Sequence, residues 1–140
     1  MRKMRKFLYN DWPSTSNIQY SLDDKELFWQ GTYTDYRGCR HTRKVSLDKR
    51  KFIIEDYIKG FEENAIVRWR LSPDNWKHQG NVFESPLARI EISVISGSIK
   101  SISLERGWES IYYNKKREIS VIRVESVEPS NIKTTIKIKK

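Results

Sequence analysis

Apolar and polar residues alternate along this chain in short runs that turn-forming residues separate. In residues 65–71 (AIVRWRL) the odd-numbered side chains are apolar, and Arg68 and Arg70 stand between them. Residues 132–139 (IKTTIKIK) alternate in a similar way, with lysines on the second face. A period of two residues is typical of a half-buried β-strand, and no run longer than about eight residues keeps the period of a helix. The pattern predicts an all-β protein.

About nine or ten such runs, spaced roughly 8–12 residues apart, are typical of an antiparallel β-sandwich of short strands, and this is the predicted fold class. Residues 1–17 are predicted to form a lead-in of strand and turn, and residues 18–140 a single sandwich domain. The predicted strands are residues 18–22, 27–33, 39–47, 52–58, 65–71, 87–94, 98–104, 118–125 and 132–139, with residues 76–86 as a loop or a weak strand.

The apolar positions of these runs predict the core of the sandwich. In residues 65–71, for example, Val67 and Trp69 are expected to face inward because they alternate with arginines. The predicted core comprises Val45, Leu47, Phe52, Ile54, Ile58, Val67, Trp69, Leu71, Ile90, Ile92, Val94, Ile99, Ile102, Val121, Val124, Ile136 and Ile138.

The turn and strand at residues 32–43 (TYTDYRGCRHTR) concentrate the candidate binding chemistry, with three arginines within seven positions. Arginine forks bind carboxylate and sulfate groups in pairs of hydrogen bonds, and exposed aromatic rings stack on sugars. The alternative interpretation is structural: the aromatic side chains belong to the core and the arginines to the solvated face. The candidate polysaccharide-binding residues are Tyr36, Arg37, Arg40, His41, Arg43, Arg68 and Arg70.

Charge favours an acidic partner only weakly. The formal net charge is +9, but four basic residues lie in the first six positions and three in the last four, so the balance without them is nine minus seven, or +2. No pattern of a known nucleic-acid-binding fold accompanies the charge. No apolar run is long enough to cross a membrane, and no signal peptide is visible, so a cytoplasmic location is the default.

The titratable residues predict no self-sufficient active site. His41 and His78 do not stand in a metal-ligand spacing, and their convergence with Asp35 or Glu55 is a minor alternative. The single cysteine, Cys39, excludes an internal disulfide and is predicted to be a small strand residue rather than a nucleophile. We predict no catalytic residue, no metal site and no cofactor. Solvated surface is the expected role of the acidic pairs Asp23-Asp24, Glu55-Asp56 and Glu62-Glu63.

Four stretches carry a family resemblance through their order and spacing. They are Asp35-Tyr36 before His41-Thr42-Arg43, then residues 53–56 (IIED), residues 68–73 (RWRLSP) and residues 107–116 (GWESIYYNKK). Together, over residues 27–140, they resemble the C-terminal β-sandwich of heparinase II/III-like polysaccharide lyases. The resemblance implies a sandwich that whole members join to an (α/α) helical toroid. Those members cleave uronic-acid polysaccharides by β-elimination with Tyr and His, and many hold a metal, often zinc, in the sandwich.

The chain departs from the family pattern where the family's chemistry is carried. The toroid is absent, and so are the segments that supply the catalytic His and the metal ligands. Tyr33-Thr34-Asp35-Tyr36 stands where the family has His-Asp-Gly-Tyr. Only His41 matches a histidine of the family. That histidine belongs to the His-x-Arg strand motif and not to the residues that transfer protons. The resemblance therefore implies part of a carbon–oxygen lyase without that enzyme's catalytic residues.

Three functions from different classes follow. We expect an accessory sandwich domain that is inactive alone and whose partner is a lyase toroid, in the same chain or as a separate polypeptide. The first alternative is a stand-alone module that binds acidic polysaccharide through the basic and aromatic face, and the second is a non-specific nucleic-acid binder, which only the charge supports. An apolar sheet edge also favours a homodimer.

Overall fold

The computed structural model describes residues 2–5, 8–10, 13–23 and 27–139. These residues form thirteen strands and no helix, and thus no helix that is long and apolar enough to span a membrane. The strands are β1 (Arg2–Arg5), β2 (Leu8–Asn10), β3 (Ser14–Leu22), β4 (Leu27–Thr34), β5 (Arg40–Asp48), β6 (Lys51–Lys59), β7 (Ala65–Arg70), β8 (Lys77–Gln79), β9 (Val82–Glu84), β10 (Ala88–Ser96), β11 (Ile99–Tyr112), β12 (Lys115–Ser126) and β13 (Ser130–Ile138).

Eleven strands form the two antiparallel sheets of a β-sandwich, which confirms the predicted fold class. The large sheet has the order β3-β4-β5-β6-β13-β10-β9-β8, and the small sheet has the order β11-β12-β7. Strands β1 and β2 pair as a separate hairpin. The weak strand expected at residues 76–86 is a pair of three-residue strands, β8 and β9. Strand β3 runs across the predicted boundary at residue 17, and the division into lead-in and domain stays a prediction, with residues 1, 6, 7, 11 and 12 outside the described part.

The registers place apolar residues in rows on the inner face of the large sheet. Leu27 pairs with Leu47, Leu47 with Phe52, and Phe52 with Ile136. Residues directly opposite each other in neighbouring strands point to the same face, so these side chains form one apolar row. The alternation predicted for β5 is therefore observed, with His41 and Arg43 on the inner face of the large sheet. In β7, Val67 is buried while Arg68 and Arg70 are exposed, as predicted.

The core lies between the β6-β13-β10-β9 part of the large sheet and strands β7 and β12 of the small sheet. Phe83, which the sequence analysis did not predict, is fully buried here. Trp69, Ile99, Ile102 and Ile136 are partly buried against the core. Ile54, Ala88, Ile119 and Val121 are also buried. The main buried cluster comprises Ile58, Val67, Leu71, Phe83, Ile90, Ile92, Ile122, Val124 and Ile132.

Three residues predicted in the core are exposed. Phe52 is exposed because it lies on the part of the large sheet that the small sheet does not cover. Val94 stands beside the register shift between Val94 and Ser96, where the regular pairing of β10 with β13 ends. Ile138 is the last residue of β13. Their side chains have the alternation of core residues, but the described part of the chain leaves them 37–49% exposed.

The inner face of the large sheet is uncovered toward β3 and β4. Tyr20 pairs with Trp29 and Leu22 with Leu27, so these four side chains share that face. The exposed fractions of the large apolar side chains here run from 36% to 78%. We call this surface the open face, and its residues are Ile18, Tyr20, Leu22, Leu27, Trp29 and Phe52.

The indole ring of Trp29 lies flat over its own strand, and a glycine makes this possible. A Cβ atom at Gly31 would be 2.7 Å from the Trp29 ring. Any other residue at position 31 would push the ring away, since carbon atoms do not approach below about 3.5 Å without repulsion. Gly31 therefore sets the orientation of the largest side chain on the open face.

Candidate functional site

A cleft opens at one end of the sandwich, where the chain passes from the large sheet to the small sheet. It has a volume of about 550 Å³. Its walls are the turn after β4, the first residues of β5, the end of β6 and the connection into β7. The size lies within the range of small-molecule sites in proteins. The arginines that line it are Arg37, Arg43 and Arg68, and the carboxylates are Asp35, Glu62 and Glu63, so both signs of charge are present.

A buried charge network forms the floor of this cleft. Asp56 on β6 is fully buried and accepts hydrogen bonds from two side chains of β5. His41 Nε2 lies 2.6 Å from Asp56 Oδ1, and Arg43 binds both carboxylate oxygens, at 2.6 and 3.1 Å. The pairing follows from the strand register, because Arg43 is directly opposite Asp56. Paired arginine–carboxylate bonds of this kind fix the geometry as well as the charge.

The network keeps Asp56 ionised. Burial by itself would raise the pKa of Asp56. The hydrogen bonds from His41 and Arg43, together with the charges of these side chains, have the larger combined effect and hold the pKa below its ordinary value of 3.8. Because an ionised carboxylate only accepts hydrogen bonds, His41 donates through its Nε2–H. The guanidinium of Arg43 also stacks over Trp69, with Cζ 4.7 Å from the ring centre. The network therefore ties the large sheet to the small one.

The turn between β4 and β5 is held by Asp35. Its Oδ1 atom accepts hydrogen bonds at 2.9 Å from the backbone N–H groups of Arg37 and Cys39. Gly38 adopts a φ of +84°, a left-handed conformation that glycine accepts without strain. An aspartate that hydrogen-bonds its own backbone two residues later is a common way of closing a turn. Asp35 therefore serves the turn, and it does not join His41 in a metal or catalytic pair.

Four of the seven predicted binding residues line the cleft: Arg37, His41, Arg43 and Arg68. Arg37 is exposed, donates from Nε to the Tyr36 hydroxyl at 3.0 Å, and lies 3.9 Å from Glu62. The structure does not bring the other three residues into the cleft lining. Tyr36 is at the turn, Arg40 begins β5 with its side chain exposed, and Arg70 donates to the backbone oxygen of Trp108 at 2.6 Å.

The expectation that the Glu55-Asp56 pair is solvated surface is wrong for Asp56, the centre of the network. The two residues do face opposite ways on β6, but Asp56 shares its face with Ile54 and Ile58, both buried. A charged residue at the centre of an apolar alternation is costly to bury without a partner. The sequence contained this signal, because Arg43 occupies the equivalent inward position of the preceding strand.

A second buried carboxylate, Glu125, lies on β12 and was not predicted. Lys100 Nζ and Asn64 Nδ2 both lie 3.1 Å from its Oε1 atom, and Arg123 lies 2.7 Å from Oε2. Hydrogen bonds from Lys100 and Arg123 lower the pKa of Glu125. Asn64 is also a lining residue of the cleft, so this cluster supports the connection that forms one of its walls.

Cys39 and His78 carry no reactive geometry. Burial raises the pKa of the Cys39 thiol, with the negative charge of Asp35 adding to the effect, and a thiol held in its neutral form is a poor nucleophile. His78 stacks on Phe83 with ring centres 4.7 Å apart, and it does not line the cleft. Both observations favour structural roles.

The donors in the described part of the chain do not fit a zinc ion. Within those residues, no three His, Cys, Asp or Glu side chains form a group that could hold a metal. The nearest arrangement is His41 with Asp56, and there Arg43 occupies the carboxylate with its own positive charge. A cation at this position would have to displace Arg43, so we derive no chemistry through a metal here.

The sequence matches one family. The sequence profile described as "Heparinase II/III-like, C-terminal" matches residues 1–139. No protein of curated function matches the chain in sequence.

Several solved structures share the fold. One titled "Heparinase III-BT4657 gene product" gives a TM-score of 0.78 at 16% identity, over 91% of this chain and 22% of that chain. The heparan sulfate lyase HepC from Pedobacter heparinus gives 0.75 at 19% identity, over 90% of this chain and 22% of that chain. A structure titled "Crystal Structure of Heparinase III" gives a TM-score of 0.74 at 10% identity, over 90% of this chain and 21% of that chain. The chain thus spans 21–22% of these three structures, and at such identities the likeness concerns the fold.

Proposed function

Because this chain belongs to the heparinase II/III-like C-terminal family, we propose that it is the accessory β-sandwich domain of a polysaccharide lyase. The titles of its structural neighbours name heparinase III and a heparan sulfate lyase, so the substrate class we propose for the complete enzyme is heparan-sulfate-like uronic-acid polysaccharide. We propose further that the chain alone does not cleave such polymers. The observation that carries the proposal is the family match over residues 1–139.

The composition of the cleft supports inactivity of the chain alone. Elimination at a uronic acid needs a base for the proton beside the carboxylate, an acid for the leaving oxygen and a group that neutralises the carboxylate. Among the lining residues His41 is the only histidine, and its Nε2–H is directed at Asp56. No tyrosine belongs to the lining. The arginines supply charge neutralisation without the proton-transfer pair.

The test is a β-elimination assay on heparan sulfate, hyaluronan and alginate, followed by the ultraviolet absorbance of unsaturated uronates. We expect no turnover by the wild-type chain. A His41→Ala variant serves as the control for contaminating lyase, because contamination gives the same trace in both preparations. Turnover that the wild type shows and His41→Ala lacks would mean that the chain is itself an enzyme, and the accessory role would fail.

A second candidate function, binding of acidic polysaccharide, is favoured by the convergence of Arg37, His41, Arg43 and Arg68 on one cleft. Arg37 and Arg68 are exposed and therefore accessible to a sulfate or carboxylate group. The carboxylates of Glu62 and Glu63 on the same wall oppose this, so binding would select polymers whose acidic groups reach the arginines and avoid the glutamates.

The matched variants for this candidate are Arg37→Ala/Arg68→Ala in the cleft and Arg89→Ala/Arg106→Ala outside it. Both pairs remove two positive charges. Arg89 pairs with Glu84 and Arg106 with Glu118, far along the chain from the cleft residues. Binding to immobilised heparan sulfate at moderate salt should weaken about tenfold, or 1.4 kcal/mol, in the cleft variant only. Equal losses in both variants, or equal affinity of the wild type for DNA, would leave only non-specific charge attraction.

A further inference from the structure

The open face reaches the edge of the large sheet without a charged residue. Strand β3 (STSNIQYSL) has nine residues and contains no Lys, Arg, Asp, Glu or Pro. Solvent-facing edge strands usually carry such residues, which oppose association. The other edges of the two sheets follow this rule. Strand β8 has only three residues, β7 carries Arg68 and Arg70, and β11 includes four charged residues. Strand β3 therefore has the composition of a strand that another protein layer covers.

The open face is large enough for a stable interface. Its six side chains are between 36% and 78% exposed. If a fully exposed large side chain presents about 200 Å², the six together present roughly 650 Å² of surface. The largest apolar patch of a typical monomer is about 300–600 Å², and one side of a standard protein interface is about 800 Å². The open face lies between these values before any flanking residue is counted.

Within the described strands, the charged side chains that the registers place next to the open face on the same side of the sheet pair with each other. They are Arg43 on β5 and Asp56 on β6. A second apolar layer placed on the open face therefore buries no unpaired charge, and burial of apolar surface is favourable at about 25 cal/mol per Å².

We propose that two copies of this chain associate face to face through their open faces. A two-fold axis brings one apolar surface against an identical one, so the two surfaces need no difference in chemistry. The large sheet of each copy then covers the part of the other copy's large sheet that the small sheet leaves open. The two sheets would lie at the usual sheet-to-sheet spacing of about 10 Å. Tyr20 and Leu22 on the edge strand and Trp29 on the neighbouring strand β4 lie within the interface. The proposal does not depend on the lyase role, which concerns the cleft and the family.

The dependence on salt separates this association from one driven by opposite charges. Two copies each carry a formal charge of +9, so they repel each other. Salt screens that repulsion, since the Debye length falls from about 10 Å at 0.1 M to about 3 Å at 1 M. The apolar contact itself is not weakened by salt. The dimer should therefore become tighter as salt rises.

Sedimentation equilibrium under reducing conditions, which exclude a Cys39 disulfide, tests the proposal directly. At high micromolar concentration the wild type should approach twice its monomer mass of 16.8 kDa, and more completely at 0.5 M than at 0.05 M sodium chloride. The variant Tyr20→Lys/Leu22→Lys places two charges on the open face and should raise the dissociation constant at least a hundredfold. Both side chains are more than two-thirds exposed, so the fold should persist, which circular dichroism and thermal melting check.

The matched control is Ile111→Lys/Tyr113→Lys at the β11–β12 hairpin tip. These side chains are 57% and 94% exposed, and the variant adds the same charge away from the open face. It should dimerise like the wild type apart from a small charge effect. A monomeric wild type would overturn the proposal and assign the open face to another polypeptide. A dimer that both variants weaken equally, or an open-ended aggregate, would overturn it as well.

Discussion

The large sheet has a covered half and an open half, and the two halves have the same alternation of apolar and polar residues. In the covered half, Phe83 and Ile92 lie beneath the small sheet at 0% and 1% exposure. In the open half, Tyr20 and Leu22 occupy equivalent inner-face positions at 68% and 78% exposure. Alternation therefore identifies the face of a strand, whereas burial depends on a second layer that the strand itself does not specify.

The charge network of Asp56, His41 and Arg43 lies at the boundary between the two halves. Trp69 of the small sheet reaches this boundary and stacks on Arg43. Beyond it the inner face is apolar and uncovered. A buried ion pair at such a boundary contributes little net stability when intact but is costly to break, because the remaining charge is left without a partner. We therefore expect substitutions in the covered half to change the free energy of unfolding strongly, and substitutions in the open half to change it little.

The largest effect is expected in the covered half. Phe83→Ala removes a fully buried ring and should lower the free energy of unfolding by about 3–5 kcal/mol. Phe52→Ala is the matched change in the open half, where the ring is 37% exposed, and it should cost only about 1–2 kcal/mol. Urea unfolding at a concentration where the chain is monomeric measures both. Similar losses would mean that the two halves do not differ in packing.

At the boundary, Asp56→Ala should lower the free energy of unfolding by about 3 kcal/mol, because Arg43 and His41 lose their shared acceptor. Glu55→Ala is the neighbouring control on the opposite face of β6. It is expected to cost less than about 0.5 kcal/mol, as is usual for surface positions. Thermal melts of the three proteins compare them, and a mild effect of Asp56→Ala would show that the network is dispensable.

The same carboxylate predicts a dependence of stability on pH. The pKa of Asp56 is lowered from 3.8 in the folded chain, so the unfolded chain binds a proton first as the solution becomes acidic. The stability that Asp56 contributes is complete above about pH 5 and is lost as the pH falls through the folded pKa, below 3.8. The urea concentration at the midpoint of unfolding should decrease more between pH 7 and pH 3 in the wild type than in Asp56→Asn. Parallel curves would contradict the assignment.

A smaller effect is expected at Trp69. Its indole Nε1 atom is buried and, within the described residues, has no hydrogen-bond partner. Trp69→Phe removes this unsatisfied donor along with some packing, and the two contributions oppose each other. The free energy of unfolding should therefore change by less than about 1 kcal/mol. A loss above about 2 kcal/mol would indicate that the indole donor has an acceptor in solution.

The smallest effect is expected on the open face. Tyr20→Ser should leave the free energy of unfolding of the monomer within about 0.5 kcal/mol of the wild type, since the side chain is mostly exposed. At concentrations where the dimer forms, the same variant should melt at a lower temperature than the wild type, because association stabilises the folded state. A large loss in the monomer would mean that the open face is packed within one chain.

The candidate site was predictable in part. The arginines and His41 stand in one short segment with a turn motif, and four of the seven predicted residues do line one cleft. Strand alternation alone would have separated Arg40, which faces the opposite way from His41 and Arg43. Tyr36 and Arg70 were not separable by sequence, because their positions depend on the turn and on the neighbouring hairpin. Asp56 was missed because an acidic pair on a strand was interpreted as surface, although its inward position was readable from Ile54 and Ile58.

The all-β class, the inward and outward faces of most strands and the family of the chain are all encoded locally in the amino-acid sequence. These follow from local rules: a period of two residues, turn residues at regular spacing and short motifs in a fixed order. Which inward faces are buried, and which carboxylate pairs with which cation, became known from the folded arrangement of the strands. Burial and ion pairing depend on contacts between strands that are distant in sequence, such as Arg43 with Asp56 and with Trp69, and local patterns do not encode the partner.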